Sequence, residues 1–157
     1  MKSYQTKETK QLGNRIPCVE VIMVKEVSVS SEIYRSYEEV VNSELVEKEL
    51  KYSDREKFIC LHLNSKNRLI SYEVVSVCSI NMSVVYPREV FKGAILSNAA
   101  SIICLHNHPS GDPTPSEEDI GITERLNKAG NILGIKVLDH IIISRESSFS
   151  FSESGLI

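Results

Sequence analysis

The chain is 157 residues long, 41% hydrophobic and 25% charged, with a formal net charge of -3. That length accommodates one domain with a real core, and the charge balance lacks the basic stripe on which autonomous nucleic-acid binding rests. No apolar run approaches the ~18–20 residues of a membrane span, and the polar start, MKSYQTKETKQLGNR, has no apolar stretch of a secretory signal, so a cytoplasmic protein is expected.

Residues 1–17 are polar and aperiodic and end in Pro17; they read as a disordered N-terminal tail, leaving 18–157 as a single domain. Residues 18–29, CVEVIMVKEVSV, predict a strand. Ser30 and Ser31 are candidate N-caps for a helix over about 32–50, with Ile33, Tyr37, Val40, Val41 and Leu45 as its apolar face. Two strand-like runs follow, 56–63 (EKFICLHL) and 68–77 (RLISYEVVSV), joined by the turn-forming NSKN. A third extended run, 79–86, leads to Pro87, which suits the first turn of a helix reaching about residue 99, with Glu89 near its N-terminus. SIICLH, 101–106, is a short buried strand, and 107–115 is a loop rich in Pro and Gly. A helix is predicted from Glu117 to about residue 133, because Ile122, Leu126, Ala129 and Leu133 share one face; Gly134 suits the position just past its end. IKVLDHIIIS, 135–144, is the next strand, and FSFSESGLI closes the chain. Strands alternating with helices predict an α/β fold, a mixed β-sheet flanked by α-helices.

The four cysteines, Cys18, Cys60, Cys78 and Cys104, form no C-x-x-C pair. Cys60, Cys78 and Cys104 sit in apolar runs, where a reduced cysteine acts as a small hydrophobe, and all four are read as structural thiols of a reducing compartment.

The chemically informative stretch is 106–119, HNHPSGDPTPSEED. His106 and His108 lie two apart at a strand end, so both imidazoles project to one side and can reach one metal ion. The stiff PSGDPTP loop turns the chain back, and Asp119 falls in the first turn of the next helix, where it can supply an anionic third ligand. Two neutral nitrogens and one carboxylate, with a fourth position left to water, describe a catalytic zinc site rather than a closed structural one. Zinc there would acidify its water toward a pKa of ~7 and polarise a carbonyl. A nearby carboxylate could carry the proton to a leaving amine, and a hydroxyl could stabilise the oxyanion; Ser116 is the candidate hydroxyl. Ser116-x-x-Asp119 is also the pattern of a capping box, in which Ser116 caps the helix and Asp119 reaches back to a backbone N–H.

H-x-H, seven residues, Ser, two residues, Asp is the JAMM (MPN-plus) motif, and His106, His108, Ser116 and Asp119 match it at every spacing. HNHPSGDPTPS, with PREVFKGAILSNAASIIC before it and GIKVLDHIII after it, resembles the bacterial RadC family over about residues 52–157, and more weakly over 18–50. The resemblance implies a JAMM/MPN layered architecture of the cytidine-deaminase-like kind. It implies a zinc ion held by His106, His108 and Asp119, Ser116 as the oxyanion-side hydroxyl, and hydrolysis of peptide or isopeptide bonds. JAMM enzymes also use a glutamate ahead of an early core strand; Glu56, before KFICLHL, matches that position, with Glu73 as a rival. Tyr86 stands where many RadC relatives have a histidine. The chain is further expected to be a short form, without the N-terminal helix-hairpin-helix region of longer RadC proteins.

Among other residues, His140 beside Asp139 reads as a buried structural histidine; the sharper alternative is a partner that orients a zinc ligand. His62 reads as structural, Asp112 as turn chemistry rather than a ligand, and SSFSFSES as an exposed edge. Three functions compete. A zinc-dependent metallohydrolase with a protein or peptide substrate leads. A DNA-repair-associated factor, suggested by the family's traditional name, is disfavoured by the charge. A non-catalytic MPN-type interaction module is disfavoured by the complete ligand set. The H-x-E…P-C-x-x-C signature of a zinc deaminase needs closely spaced cysteines that this chain lacks. No membrane partner is expected.

Overall fold

The computed structural model describes residues 32–77 and 85–157. The tail at 1–17, the strand expected at 18–29 and most of the run at 79–86 lie outside the described residues, as do Cys18 and Cys78.

Five strands form one mixed sheet: β1 (Lys57–Leu63), β2 (Leu69–Val77), β3 (Ser101–Asn107), β4 (Lys136–Ile143) and β5 (Ser148–Ser150), in the order β2-β1-β3-β4-β5. β1 runs antiparallel to both β2 and β3, β3 is parallel to β4, and β5 returns antiparallel to β4. The expected NSKN hairpin is present. The Asn64 carboxamide oxygen accepts from the N–H groups of Lys66 and Arg68, and Asn67 takes the left-handed conformation that asparagine tolerates.

A parallel pair cannot be joined by a hairpin, so β3 and β4 need a crossover. The helix predicted from Glu117 supplies it, and with α1, α2 and α3 given below it is α4 (Glu117–Leu133). α4 ends at Gly134, whose φ of 70° satisfies the left-handed position past a helix terminus. One turn earlier, α4 presses on β4 so closely that a Cβ at Gly130 would lie 2.5 Å from the Ile135 carbonyl oxygen. Only glycine fits that approach. α3 (Pro87–Leu96) begins at Pro87 as expected and ends slightly early, at a C-cap of Ser97.

Two hydrophobic layers sandwich the sheet. On one face Val90, Phe91 and Ala94 of α3 and Ile122 and Leu126 of α4 pack on Phe58, Cys60, Ile102, Cys104 and Val137. On the other, Val40, Leu45, Val46 and Leu50 cover Ile59, Leu61, Leu63, Ile103, Leu105, Ile141 and Ile143. Because β1 and β3 are central and covered on both sides, they read as continuous apolar runs rather than alternating ones.

The single helix expected over 32–50 is not formed. Ile33 instead bridges to Arg68 in an extended segment, and Tyr34 N–H donates to the Asn67 carbonyl. α1 (Tyr37–Val41) starts at an N-cap of Ser36, α2 (Glu44–Val46) restarts at an N-cap of Ser43, and a π-helical turn, Glu47–Lys51, follows. The hydroxyl of Ser43 also donates to the Val40 carbonyl. Serine side chains that bond nearby backbone compete with a continuous helix, and here two of them break it into short pieces. The apolar face survives, since Val40 and Leu45 are buried. Among the described residues no helix is long and apolar enough to cross a membrane.

Leu61 is fully buried at the centre of β1. Leu61→Ala should lower unfolding stability by about 2–5 kcal/mol, read as a fall in the urea midpoint at constant m-value; a loss under about 1 kcal/mol would contradict the packing described.

Candidate metal centre

The site sits where β3 ends and α4 begins. β3 pairs through Phe58↔His106 with β1 and through His106↔Ile142 with β4, so His106 is flanked on both sides by strand. His108 follows just beyond the strand, its N–H donating to the Ile143 carbonyl. α4 then delivers Asp119 at its third residue. His106 and Asp119 are buried and His108 partly so.

The three expected ligands converge. His106 Nε2 lies 2.8 Å from His108 Nε2 and 3.4 Å from Asp119 Oδ1, and His108 Nε2 lies 3.6 Å from Asp119 Oδ2. Ligand atoms ~2.0–2.1 Å from a tetrahedral zinc ion stand ~3.3 Å apart, so the histidine–aspartate spacings match and the two nitrogens are somewhat close.

The hydrogen-bond network fixes which nitrogens are available. His108 Nδ1 lies 2.8 Å from the Asp112 carbonyl oxygen, which can only accept, so Nδ1 carries the proton. For His106 the chain is longer. The Thr123 hydroxyl donates to the Asp119 carbonyl at 2.6 Å, so His140 Nδ1, 2.7 Å from that hydroxyl, must donate to it. Neutral His140 then accepts at Nε2 from His106 Nδ1–H at 3.0 Å. Burial pushes the His140 imidazole well below its ordinary pKa and His106 down to about 4, which keeps both neutral. These tautomers turn both Nε2 atoms toward one another beside the Asp119 carboxylate, so either a proton on His108 or a bound cation lies between them. The donor set therefore fits a zinc ion.

Asp119 is also held as a cap. Its Oδ2 accepts from the N–H of Ser116 at 2.8 Å and from the Ser116 hydroxyl at 2.6 Å, and Ser116 Oγ accepts from Asp119 N–H. The capping box and the ligand position coexist, because a carboxylate has lone pairs for both. Burial works to raise the Asp119 carboxyl, but the His108 hydrogen bond, the His106 charge and the Ser116 bonds outweigh it and hold it well below the usual range. The Ser116 hydroxyl thus touches Asp119, with its proton committed there. Glu56 lies just before β1, half-buried, and its charge contributes to raising His108. Glu73 lies elsewhere: it pairs across from Cys60, its carboxylate against Gly93 and His62, under α3. His62 is buried and bonded to Ser71 Oγ, away from the ligands. Asp112 turns its carboxylate onto Thr114 and gives His108 only its carbonyl.

One expectation is extended and one is corrected. His140 is buried and structural, and it is also the partner that orients His106. The segment SSFSFSES is not simply an exposed edge: Ser150 and Phe151 are buried, and Phe151 stacks on His140 with ring centroids 4.9 Å apart. The Asp139 carboxylate ties that turn down, accepting from Ser150 Oγ and Ser152 N–H. Thr123 was not singled out from the sequence, although it lies four residues after Asp119, on the same helix face.

A profile described as the RadC-like JAB domain matches residues 34–156. The chain belongs to the RadC family. Among RadC-family relatives, the UPF0758 protein YsxA of Bacillus subtilis is 43% identical over all 157 residues, which cover 64% of that protein. A UPF0758 protein of Desulforamulus reducens is 48% identical over the same 157 residues, 65% of its length. A third, from Caldanaerobacter subterraneus subsp. tengcongensis, is 54% identical over 120 residues, 76% of this chain and 51% of that one. The chain thus spans about half to two thirds of the length of these curated relatives.

His108 is raised above its ordinary pKa of 6.5, chiefly by its hydrogen bond to Asp119, while His106 is already neutral at about 4. At about pH 6 a metal must therefore displace a proton from His108. Zinc binding should release close to one proton there and fewer as pH climbs past the raised value, so apparent affinity rises with pH and then levels off. Titration calorimetry in buffers of different ionisation enthalpy measures this; no release at about pH 6 would contradict the assignment.

Proposed function

We propose that this RadC-family chain is a zinc-dependent metallohydrolase that cleaves peptide or isopeptide bonds, with His106, His108 and Asp119 as the zinc ligands. The observation that carries the proposal is the pair of opposed imidazole Nε2 atoms beside a carboxylate, with the other ring nitrogens held from behind. A structural zinc site closes all four positions with protein ligands; three donors leave one open for chemistry. A zinc ion held there supplies Lewis-acid activation of water and of a carbonyl at neutral pH.

The chain's own residues then have distinct tasks. Glu56, on the His108 side of the site, takes a proton from water and gives it to the leaving amine. Ser116 donates its hydroxyl toward the carbonyl oxygen as negative charge develops there, which requires it to turn from Asp119 Oδ2. His140, Thr123 and the Asp112 carbonyl keep both histidines in the ligating tautomer. The substrate is a protein or peptide. Cys60 and Cys104 face each other across β1 and β3 as buried free thiols, which supports placing the protein in the reducing cytoplasm.

Purified protein should hold about one zinc per chain. Glu56→Gln should retain the metal and lose cleavage of a peptide-library substrate by on the order of 10²–10⁴-fold, while His108→Ala should lose the metal. Protein refolded with excess zinc that holds none would sink the proposal, and cleavage persisting in His108→Ala would trace the activity to a contaminant.

A further inference from the structure

The residue between the two ligand histidines is Asn107, only 2% exposed. The antiparallel ladder between β1 and β3 has its last pair at Phe58↔His106. Beyond it the Asn107 side chain takes over the work of a backbone partner. Its Oδ1 accepts from Lys57 N–H at 2.8 Å, and its Nδ2 donates to the Arg55 carbonyl at 3.0 Å and to the Ser53 carbonyl at 3.5 Å. Both amide hydrogens and the oxygen of one carboxamide are thereby used.

These contacts bracket Glu56. The carbonyl before it and the N–H after it are held by one planar group, so the backbone at residue 56 is fixed at two adjacent peptide units. The group doing so is rooted between His106 and His108. Ser53 tightens the same loop, its hydroxyl donating to the Arg55 carbonyl and accepting from Arg55 N–H. On the far side, Lys57 Nζ pairs with Glu49 Oε2 at 3.3 Å, tying β1 to the π-helical turn.

We propose that Asn107 is a positioning residue that sets the distance between the Glu56 carboxylate and the two histidines. This rests on the metallohydrolase reading for the role of Glu56, but not for the bracket itself. Serine or alanine at position 107 cannot span the same three partners. Aspartate keeps the acceptor for Lys57 N–H and loses both donors.

The test uses the zinc-loaded 157-residue chain and three variants, Asn107→Ala, Asn107→Asp and Glu56→Gln. Amide exchange at Lys57, followed by NMR, should be at least about tenfold faster in Asn107→Ala and remain protected in Asn107→Asp. Zinc content and exchange within β3 and α4 should stay at wild-type values in both. A crystal structure of zinc-loaded Asn107→Ala should show the 53–56 segment displaced from the histidines. With a cleavable peptide, kcat should fall by on the order of 10–100-fold at unchanged KM, and adding Asn107→Ala to Glu56→Gln should cost nothing further. Unchanged protection at Lys57, Glu56 superposing on its wild-type position, loss of zinc from Asn107→Ala, or multiplying effects in the double variant would each overturn the inference. Exchange and crystallography need no turnover, so the bracket is decided even if no hydrolysis is found. Zinc binding and cleavage with an intact Lys57 amide would remove the bracket alone.

Discussion

Two imidazole nitrogens stand 2.8 Å apart in a largely buried site. Facing lone pairs repel, so a proton on His108 or a bound cation must sit between them unless a ring rotates or changes tautomer. Neither ring can do so here. His108 is pinned from behind by the Asp112 carbonyl. His106 is pinned by a run of bonds through His140 and Thr123 that ends on the main chain of Asp119 itself. The Asp119 backbone thus orients the His106 ring, and the three side chains hold one another in place through α4.

The layout of the sheet explains why such a circuit is possible. The parallel β3–β4 seam places His140 one strand over from His106, with Cys104↔His140 and His106↔Ile142 in register. The crossover helix required by that parallel pair must start near the end of β3, which brings Thr123 and Asp119 over the same two histidines. A helix N-terminus is electropositive and favours a carboxylate in its first turn. Asp119 uses that preference to cap α4 while turning its free lone pairs to the histidines. Phe58 and Phe151 complete the surround, stacking on His106 and His140. This apolar wall depresses the basicity of both rings.

Much of this was legible in the sequence because it is local. The spacing of His106, His108, Ser116 and Asp119 is written within one strand–loop–helix unit; apolar runs or helical periodicity marked β1, β3, α4 and β4 well, and Pro87 marked the start of α3. Legibility fails where the deciding contact is distant or where two local signals compete. Ser36 and Ser43 fall inside the run expected as one helix over 32–50, and because their side chains bond nearby backbone that helix breaks. His140 was readable as a buried histidine, but its partner depended on a strand register that no local pattern specifies. Asn107 hid between two more conspicuous residues, and the serine-rich end concealed Phe151, whose partner comes from β4. Ser116 was ambiguous between cap and chemistry because the same atoms are suited to both.

The separation of these groups along the chain also has a consequence for how the centre is lost. His106, His108 and Asp119 come from one short stretch whose ends meet at little entropic cost, whereas Glu56 arrives from β1 through long-range pairing. Regions of a fold open with different free energies. Fraying of the β1 end would carry the carboxylate away while the β3–α4–β4 unit still gripped an ion. On the proposed reading, metal content measures the integrity of that unit alone, and a chain can be fully loaded while Glu56 stands out of place.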